Sequence, residues 1–239
     1  MQSFTFGLLI LFSGVHIATA QIVQPMVYEL EPIGSRSSID LRIQNTKTSA
    51  ITYELLALKI SHDEYGNETS KPAEDDFIIY PPLTQISAGK TQVVKVKYVG
   101  DPTIYKSQTY RVVVAELPVD FDGSGSSGVA VAINFSTLCN VSPVDAKSDV
   151  YVSEISQNDN EEWLVTLENS GNRYSRLSET TVEVKNTKNP SMNKVYKNEK
   201  VFELFNRNLI APNSKLIISV PALEGFEADS TEIKISQKS

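Results

Sequence analysis

Tyr110-Arg111-Val112-Val113-Val114-Ala115-Glu116-Leu117-Pro118 is a β-branched run with a hard stop. Valine, branched at Cβ, suits a pleated strand. Pro118 cannot donate to a ladder and ends the run. The stretch predicts a strand over 110–117. Behind it, Asp120 to Gly128 is rich in Gly and Ser and reads as a loop. Val129 to Cys139 then reads as the last strand of this half. Within it Val129, Val131, Ile133 and Phe135 share one face, while Ala130 and Ala132, followed by Asn134, share the other. Periodicity alone assigns the large row to the strand's own core.

Upstream, the same pattern repeats. Thr91 to Val99 alternates, with Val94, Val96 and Tyr98 opposite Lys95 and Lys97, behind a tight turn at Ala88-Gly89-Lys90. Phe77 to Tyr80 is a short strand stopped by Pro81-Pro82. Gly66 to Asp76 reads as a polar loop. Ile51 to Ile60 is a strand, although Glu54 to Leu58 would also suit a helix. Ser38 to Gln44 alternates, with Ile39, Leu41 and Ile43 on one face, and ends in a turn at Asn45-Thr46-Lys47-Thr48-Ser49. Ile22 to Leu30 opens the set. Short strands at regular spacing with turn residues between them predict an all-β sandwich.

Beyond Val141-Ser142-Pro143 the pattern returns in weaker form. Strands are expected at Asp149–Ile155, Trp163–Glu168, Thr180–Lys185, Lys215–Val220 and Thr231–Ile235, with turns at Asn169-Ser170-Gly171-Asn172 and Ala211-Pro212-Asn213-Ser214. The chain of 239 residues is long enough for two domains at about 100–150 residues each. The expected division is residues 1–20 as a signal peptide, 21–142 as one domain and 143–239 as another. Phe4 to Val15 is mostly apolar and is followed by Ala18-Thr19-Ala20, a small-x-small cleavage signal. The run is too short to span a bilayer, which takes about 20 apolar residues.

Composition excludes several functions. The net charge is −7, and the basic residues are scattered. Nucleic-acid binding would favour a concentrated basic face. The one cysteine, Cys139, cannot close an internal disulfide and reads as a small apolar strand residue. No Gly-x-Ser-x-Gly elbow, phosphate-binding glycine loop or His-Glu-x-x-His is present. His62 is the only histidine after the leader, so no metal cluster is expected. Glu29 and Glu31 share a strand face and read as solvated. Glu74-Asp75-Asp76 lacks the alternation and glycine of a calcium loop. No catalytic residue, metal, cofactor or small-molecule substrate is expected.

Four segments resemble the PapD-like periplasmic chaperones of the chaperone–usher pathway, and look closest to their archaic-type branch. Pro25-Met26-Val27-Tyr28-Glu29-Leu30-Glu31-Pro32 resembles the family's opening strand, and Ser38 to Asn45 its next strand and Asn-led turn. Phe77 to Val96, with Tyr80-Pro81-Pro82 and Ala88-Gly89-Lys90, resembles a further segment. Tyr110 to Pro118, closing in Glu-Leu-Pro, is the most specific. In the second half Leu167 to Asn172 and Ala211 to Ser214 look like the family's turns.

The resemblance implies two immunoglobulin-like β-sandwich domains in an L-shaped arrangement. It implies a periplasmic protein that lends a strand to pilus (fimbrial) subunits lacking their own, a form of β-augmentation, and passes them to an outer-membrane usher. Placed here, the lent strand is Val129, Val131, Ile133 and Phe135. Burying four large apolar side chains is worth roughly 6–12 kcal/mol before ordering costs. Members of the family anchor the subunit's terminal carboxylate with an Arg in the first strand and a Lys in the last. Gln21 to Glu29 and Val129 to Val141 hold neither. Lys95 and Arg111 are the substitutes expected here. The free protein could cap the same strand by associating with itself. The rival reading is an Ig-like secreted structural or adhesive pilus component.

Overall fold

The computed structural model describes residues 21–117 and 132–237. Among the described residues the first half holds ten strands: β1 (Ile22–Gln24), β2 (Val27–Leu30), β3 (Ser38–Gln44), β4 (Ile51–His62), β5 (Glu68–Pro72), β6 (Phe77–Tyr80), β7 (Leu83–Ile86), β8 (Thr91–Tyr98), β9 (Gln108–Leu117) and β10 (Phe135–Val141). They form two sheets, β1-β3-β8-β6 and β2-β10-β9-β4-β5, with β7 also on β4.

The opening stretch is not one strand but two in different sheets. β1 runs antiparallel to β3, while β2 runs parallel to β10. Pro25, which has no N–H to give a ladder, sits between them. The strand period of two aims alternate residues inward. Leu41 and Ile43 of β3 and Val94, Val96 and Tyr98 of β8 meet Tyr53, Leu55 and Ala57 of β4 and Tyr110, Val112 and Val114 of β9. Phe77 packs edge-on against Tyr98 and Tyr110, with centroids 5.5 and 4.9 Å away. Stacked sheets with inner faces interdigitated are the sandwich that the alternation predicts.

Two further first-half expectations need correction. Gly66–Asp76 is not a plain loop, because β5 lies within it on the edge of β4. Its five residues are all exposed, so no hydrophobic period marks it. Pro72 is tolerated because the far side of an edge strand needs no donor. Among the described residues the last strand runs from Phe135 to Val141, where residues 129–139 were expected. Ala132 to Asn134 lie outside it, and Val129 and Val131 lie outside the described residues. Two of its buried polar side chains find partners inside: Thr109 donates to Asn140 Oδ1 at 2.9 Å, and Thr137 donates to the Val112 carbonyl at 3.1 Å, while Asn140 Nδ2 is buried without a partner.

The second half contains β11 (Val150–Gln157), β12 (Trp163–Asn169), β13 (Ser175–Arg176), β14 (Thr180–Asn186), β15 (Asn193–Lys197), α1 (Glu199–Phe205), β16 (Leu209–Ile210), β17 (Ser214–Val220) and β18 (Thr231–Gln237). Its sheets are β11-β12-β17 and β15-β14-β18, with a small β13-β16 pair. Trp163, Val165 and Leu167 of β12 pack with Val182 and Val184 of β14 in a second core. The short helix α1 was not expected. Val201 and Phe205, four apart, give it one buried face. Asn206 ends it in the left-handed conformation at φ 49°. The first core draws on residues from Val23 to Val141 and the second on residues from Val150 to Ile233.

Candidate functional site

β10 has two unlike edges. On one side it pairs with β9 over its whole length, from Phe135 opposite Val114 to Val141 opposite Gln108. On the other side β2 covers only Leu138 to Val141. Among the described residues no strand pairs with that side of Phe135–Thr137. Leu138 N–H donates to the Met26 carbonyl at 2.8 Å. Two residues earlier, Ser136 aims its N–H and C=O the same way, at no strand. Natural proteins usually block such an edge, and a partner strand can pair with it.

Of the donor residues expected from sequence, Ile133 and Phe135 are described, and Val129 and Val131 lie outside the described residues. Ile133, just before the ladder, is 42% exposed. Phe135 begins the ladder and is half-buried against its own core. Thr137, Cys139 and Val141 continue its face inward, all buried. The described part of the large row therefore divides between the protein's own core and solvent.

The base of the segment is held by Glu116 near the end of β9. Its Oε2 accepts from Ile133 N–H at 3.2 Å and from Gln21 Nε2 at 3.4 Å, and its Oε1 accepts from Lys47 Nζ at 2.8 Å. Burial alone would raise this carboxyl. The Lys47 ammonium, the Ile133 N–H and the Gln21 amide outweigh it and hold Glu116 below the usual carboxylate range. Sequence reasoning missed Glu116, whose partners come from three distant segments.

Lys95 and Arg111 are not brought together. Lys95 lies on the outer face of β8 and bonds Asp40 Oδ1 at 2.7 Å. Arg111 lies on the outer face of the other sheet, and its Nε bonds Glu68 Oε1 at 2.7 Å. Neither is a free cation. Glu29, expected on a solvated face, instead ties the two halves. Its Oε2 accepts from Arg173 Nη2 at 2.6 Å and from Tyr174 Oη at 3.0 Å. Burial and the Glu29 charge push the Tyr174 hydroxyl up to about 12. Among the described residues no three His, Cys, Asp or Glu side chains are grouped to hold a metal ion.

Residues 30–139 match the family described as pili and flagellar-assembly chaperone, PapD N-terminal domain. Comparison with curated protein sequences gives no match. Several solved structures share the fold across both halves. A chain of the CsuC–CsuE chaperone–tip adhesion subunit pre-assembly complex, from the archaic chaperone–usher Csu pili of Acinetobacter baumannii, superposes with a TM-score of 0.58 at 15% identity, covering 91% of this chain and 98% of that one. The class 5 fimbriae chaperone CfaA gives 0.58 at 15% identity over 92% of this chain and 100% of its own. A chain of the Salmonella enterica SafA pilin–SafB chaperone complex gives 0.55 at 13% identity, over 85% of each. The shared architecture is a pair of immunoglobulin-like β-sandwiches.

Proposed function

We infer that this chain, whose residues 30–139 carry the N-terminal domain of the pili and flagellar-assembly chaperones, is a chaperone that binds and stabilises pilus subunits. The open side of Phe135–Thr137 carries the reading, because it offers unpaired backbone for a partner strand at a point where Ile133 presents an apolar side chain outward. The donor is residues 129–135 leading into β10. Ile133 and Phe135 are the described part of the apolar row, Ile133 the outward-facing one, and Val129 and Val131 complete the row in the sequence. Affinity comes from main-chain hydrogen bonds along the edge and from apolar residues entering the subunit's incomplete core. Neither contribution needs a catalytic group.

The protein works in the periplasm after removal of residues 1–20, with domains at 21–142 and 143–239, and delivers its cargo to an outer-membrane usher. A subunit terminus that engages Lys95 or Arg111 must displace Asp40 or Glu68. Such exchange costs about what an exposed ion pair is worth, roughly 1 kcal/mol or less.

The test is periplasmic co-expression with a pilus subunit, followed by isolation of a one-to-one complex. Ile133→Asp is expected to abolish the complex while the free chain stays folded. Phe135→Asp is expected to abolish it too, with some loss of stability because Phe135 also packs on its own core. Normal binding by both variants would remove the donor-strand reading.

A further inference from the structure

We propose that Glu116 is a positioning residue that fixes the root of the donated strand. The inference rests on the donor-strand reading and deepens it.

The β9–β10 ladder begins where Phe135 faces Val114. Two residues further along the same register, Ile133 would face Glu116. The ladder has ended there, and two side-chain bonds replace it. Glu116 Oε2 accepts from the Ile133 N–H at 3.2 Å, and Asn134 Oδ1 accepts from the Glu116 N–H at 3.1 Å. Each segment captures the other's backbone donor with a side chain.

A lone surface carboxylate would be a weak clasp, but this one is braced. Lys47, in the turn after β3, holds Oε1, and Gln21 approaches Oε2 from the start of β1. The Glu116 side chain keeps 13% of its exposure. A carboxylate shielded from water and held by a cation makes stronger hydrogen bonds than a solvated one. Meanwhile the Ile133 side chain remains 42% exposed. The backbone is tethered while the side chain stays free.

That combination suits a donor. A segment that swings freely must be ordered when the partner binds, which lowers affinity and the rate of productive encounter. A segment already fixed at Ile133 enters the partner's groove in one register. A clasp at the first exposed residue also leaves the unpaired side of Phe135–Thr137 uncovered, since Glu116 approaches from the β9 side.

The experiment uses the full chain and the variants Glu116→Ala, Glu116→Gln and Asn134→Ala. Amide hydrogen exchange of the free protein is read at Ile133 and, as a control, at Val112 in the core. Complex formation is timed by diluting a denatured pilus subunit into each variant. In Glu116→Ala, Ile133 exchange should accelerate and complex formation should slow, each by about tenfold or more, the loss expected for hydrogen bonds to a charged group. Val112 should be unaffected. Glu116→Gln keeps one acceptor oxygen and loses the pull on Lys47, so it should fall between. Asn134→Ala breaks only the reciprocal bond and should have a smaller effect in the same direction.

Unchanged Ile133 exchange, or complex formation at the wild-type rate, overturns the proposal. If Val112 exchange also rises in Glu116→Ala, the fold is disturbed and Glu116→Gln decides by the same two readings. Ile133→Asp separates the two ideas. Loss of the complex in that variant alongside normal capture by the Glu116 variants sinks the clasp alone. Normal capture by Ile133→Asp sinks the donor strand and the clasp with it.

Discussion

Asn45 and Asn169 perform the same task in the two halves of the chain. Asn45 Nδ2 donates to the Ser49 carbonyl at 2.8 Å and to the Ile86 carbonyl at 2.9 Å, while its Oδ1 accepts from Lys47 N–H. Asn169 Nδ2 donates to the Arg173 carbonyl at 2.8 Å and to the Ala211 carbonyl at 3.1 Å, while its Oδ1 accepts from Gly171 N–H. Each closes a turn over four residues and bolts it to a carbonyl about 40 residues later in the chain. Both are buried. Gly171 is part of the second device, because a Cβ there would sit 2.2 Å from the Lys147 carbonyl oxygen. Asn45→Ala and Asn169→Ala should each cost about 2–4 kcal/mol, since three hydrogen bonds go in the first and four in the second, where Oδ1 also accepts from Asp149 N–H, and buried carbonyls are orphaned. Denaturant midpoints check this. Aspartate should rescue neither, because its second oxygen would face two carbonyl oxygens.

These turns show what sequence alone could and could not yield. The Asn45 and Asn169 turns were legible from composition, as were the inward rows Ile39/Leu41/Ile43 and Val94/Val96/Tyr98. The reach of Asn45 to Ile86 was not, because it depends on how the sheets stack. β5 was invisible because all its side chains are exposed. Glu29 looked like a solvated strand residue because its partner Arg173 lies 144 positions away. At the site, the apolar character of Ile133 and Phe135 was plain. The division between them, and the role of Glu116, follow from where the β9–β10 register ends. No local pattern encodes that.

Glu29→Gln should loosen the two halves without unfolding either. The Arg173–Glu29 pair is partly solvated, with side-chain exposures of 41% and 31%. Its contribution to stability is therefore about 1 kcal/mol or less. Its geometric effect is larger, since Arg173 and Tyr174 share the one acceptor oxygen, which in glutamine is a neutral amide oxygen beside an NH2 that repels both donors. Other ties remain, including Asn172 Nδ2 to the Tyr105 carbonyl at 2.8 Å. Small-angle scattering should show a broadened distribution of interdomain distances with the melting temperature nearly unchanged. An unaltered scattering profile would mean that those other ties suffice.

Glu68 should make stability depend on acid pH. Its hydrogen bond to Arg111 lowers its carboxyl pKa, burial opposes that, and the charges of Arg111 and His62 add to the lowering. The folded pKa thus lies below the unfolded one, about 4.3 for an ordinary glutamate. A depressed carboxyl contributes stability that is present above the unfolded pKa and is lost as pH falls through the folded pKa. Glu68 is 32% exposed at its side chain, so solvent screening keeps the contribution near 1 kcal/mol or less. Glu68→Gln should therefore lower the urea midpoint at pH 7. The difference from the parent chain should shrink on acidification from about pH 5 and vanish once Glu68 is protonated in the folded state. A constant difference across that range would mean the bond is not charge-assisted.

The two cores should be separable by spectroscopy. The single tryptophan, Trp163, is 1% exposed and lies wholly in the second core. Among the buried tyrosines, Tyr28, Tyr53, Tyr98 and Tyr110 lie in the first core, while Tyr174 sits outside both cores on Glu29. Tryptophan fluorescence therefore follows the second core, and near-ultraviolet tyrosine dichroism follows the first. Leu41→Ala, at a fully buried position in the first core, should cost about 2–5 kcal/mol from lost transfer energy plus the cavity left behind. The tyrosine transition should move to lower denaturant while the Trp163 shift lags behind it. If both move together, the contacts across Glu29–Arg173 and Tyr105–Asn172 bind the cores into one cooperative unit. Combining Leu41→Ala with Glu29→Gln should then pull the two transitions apart.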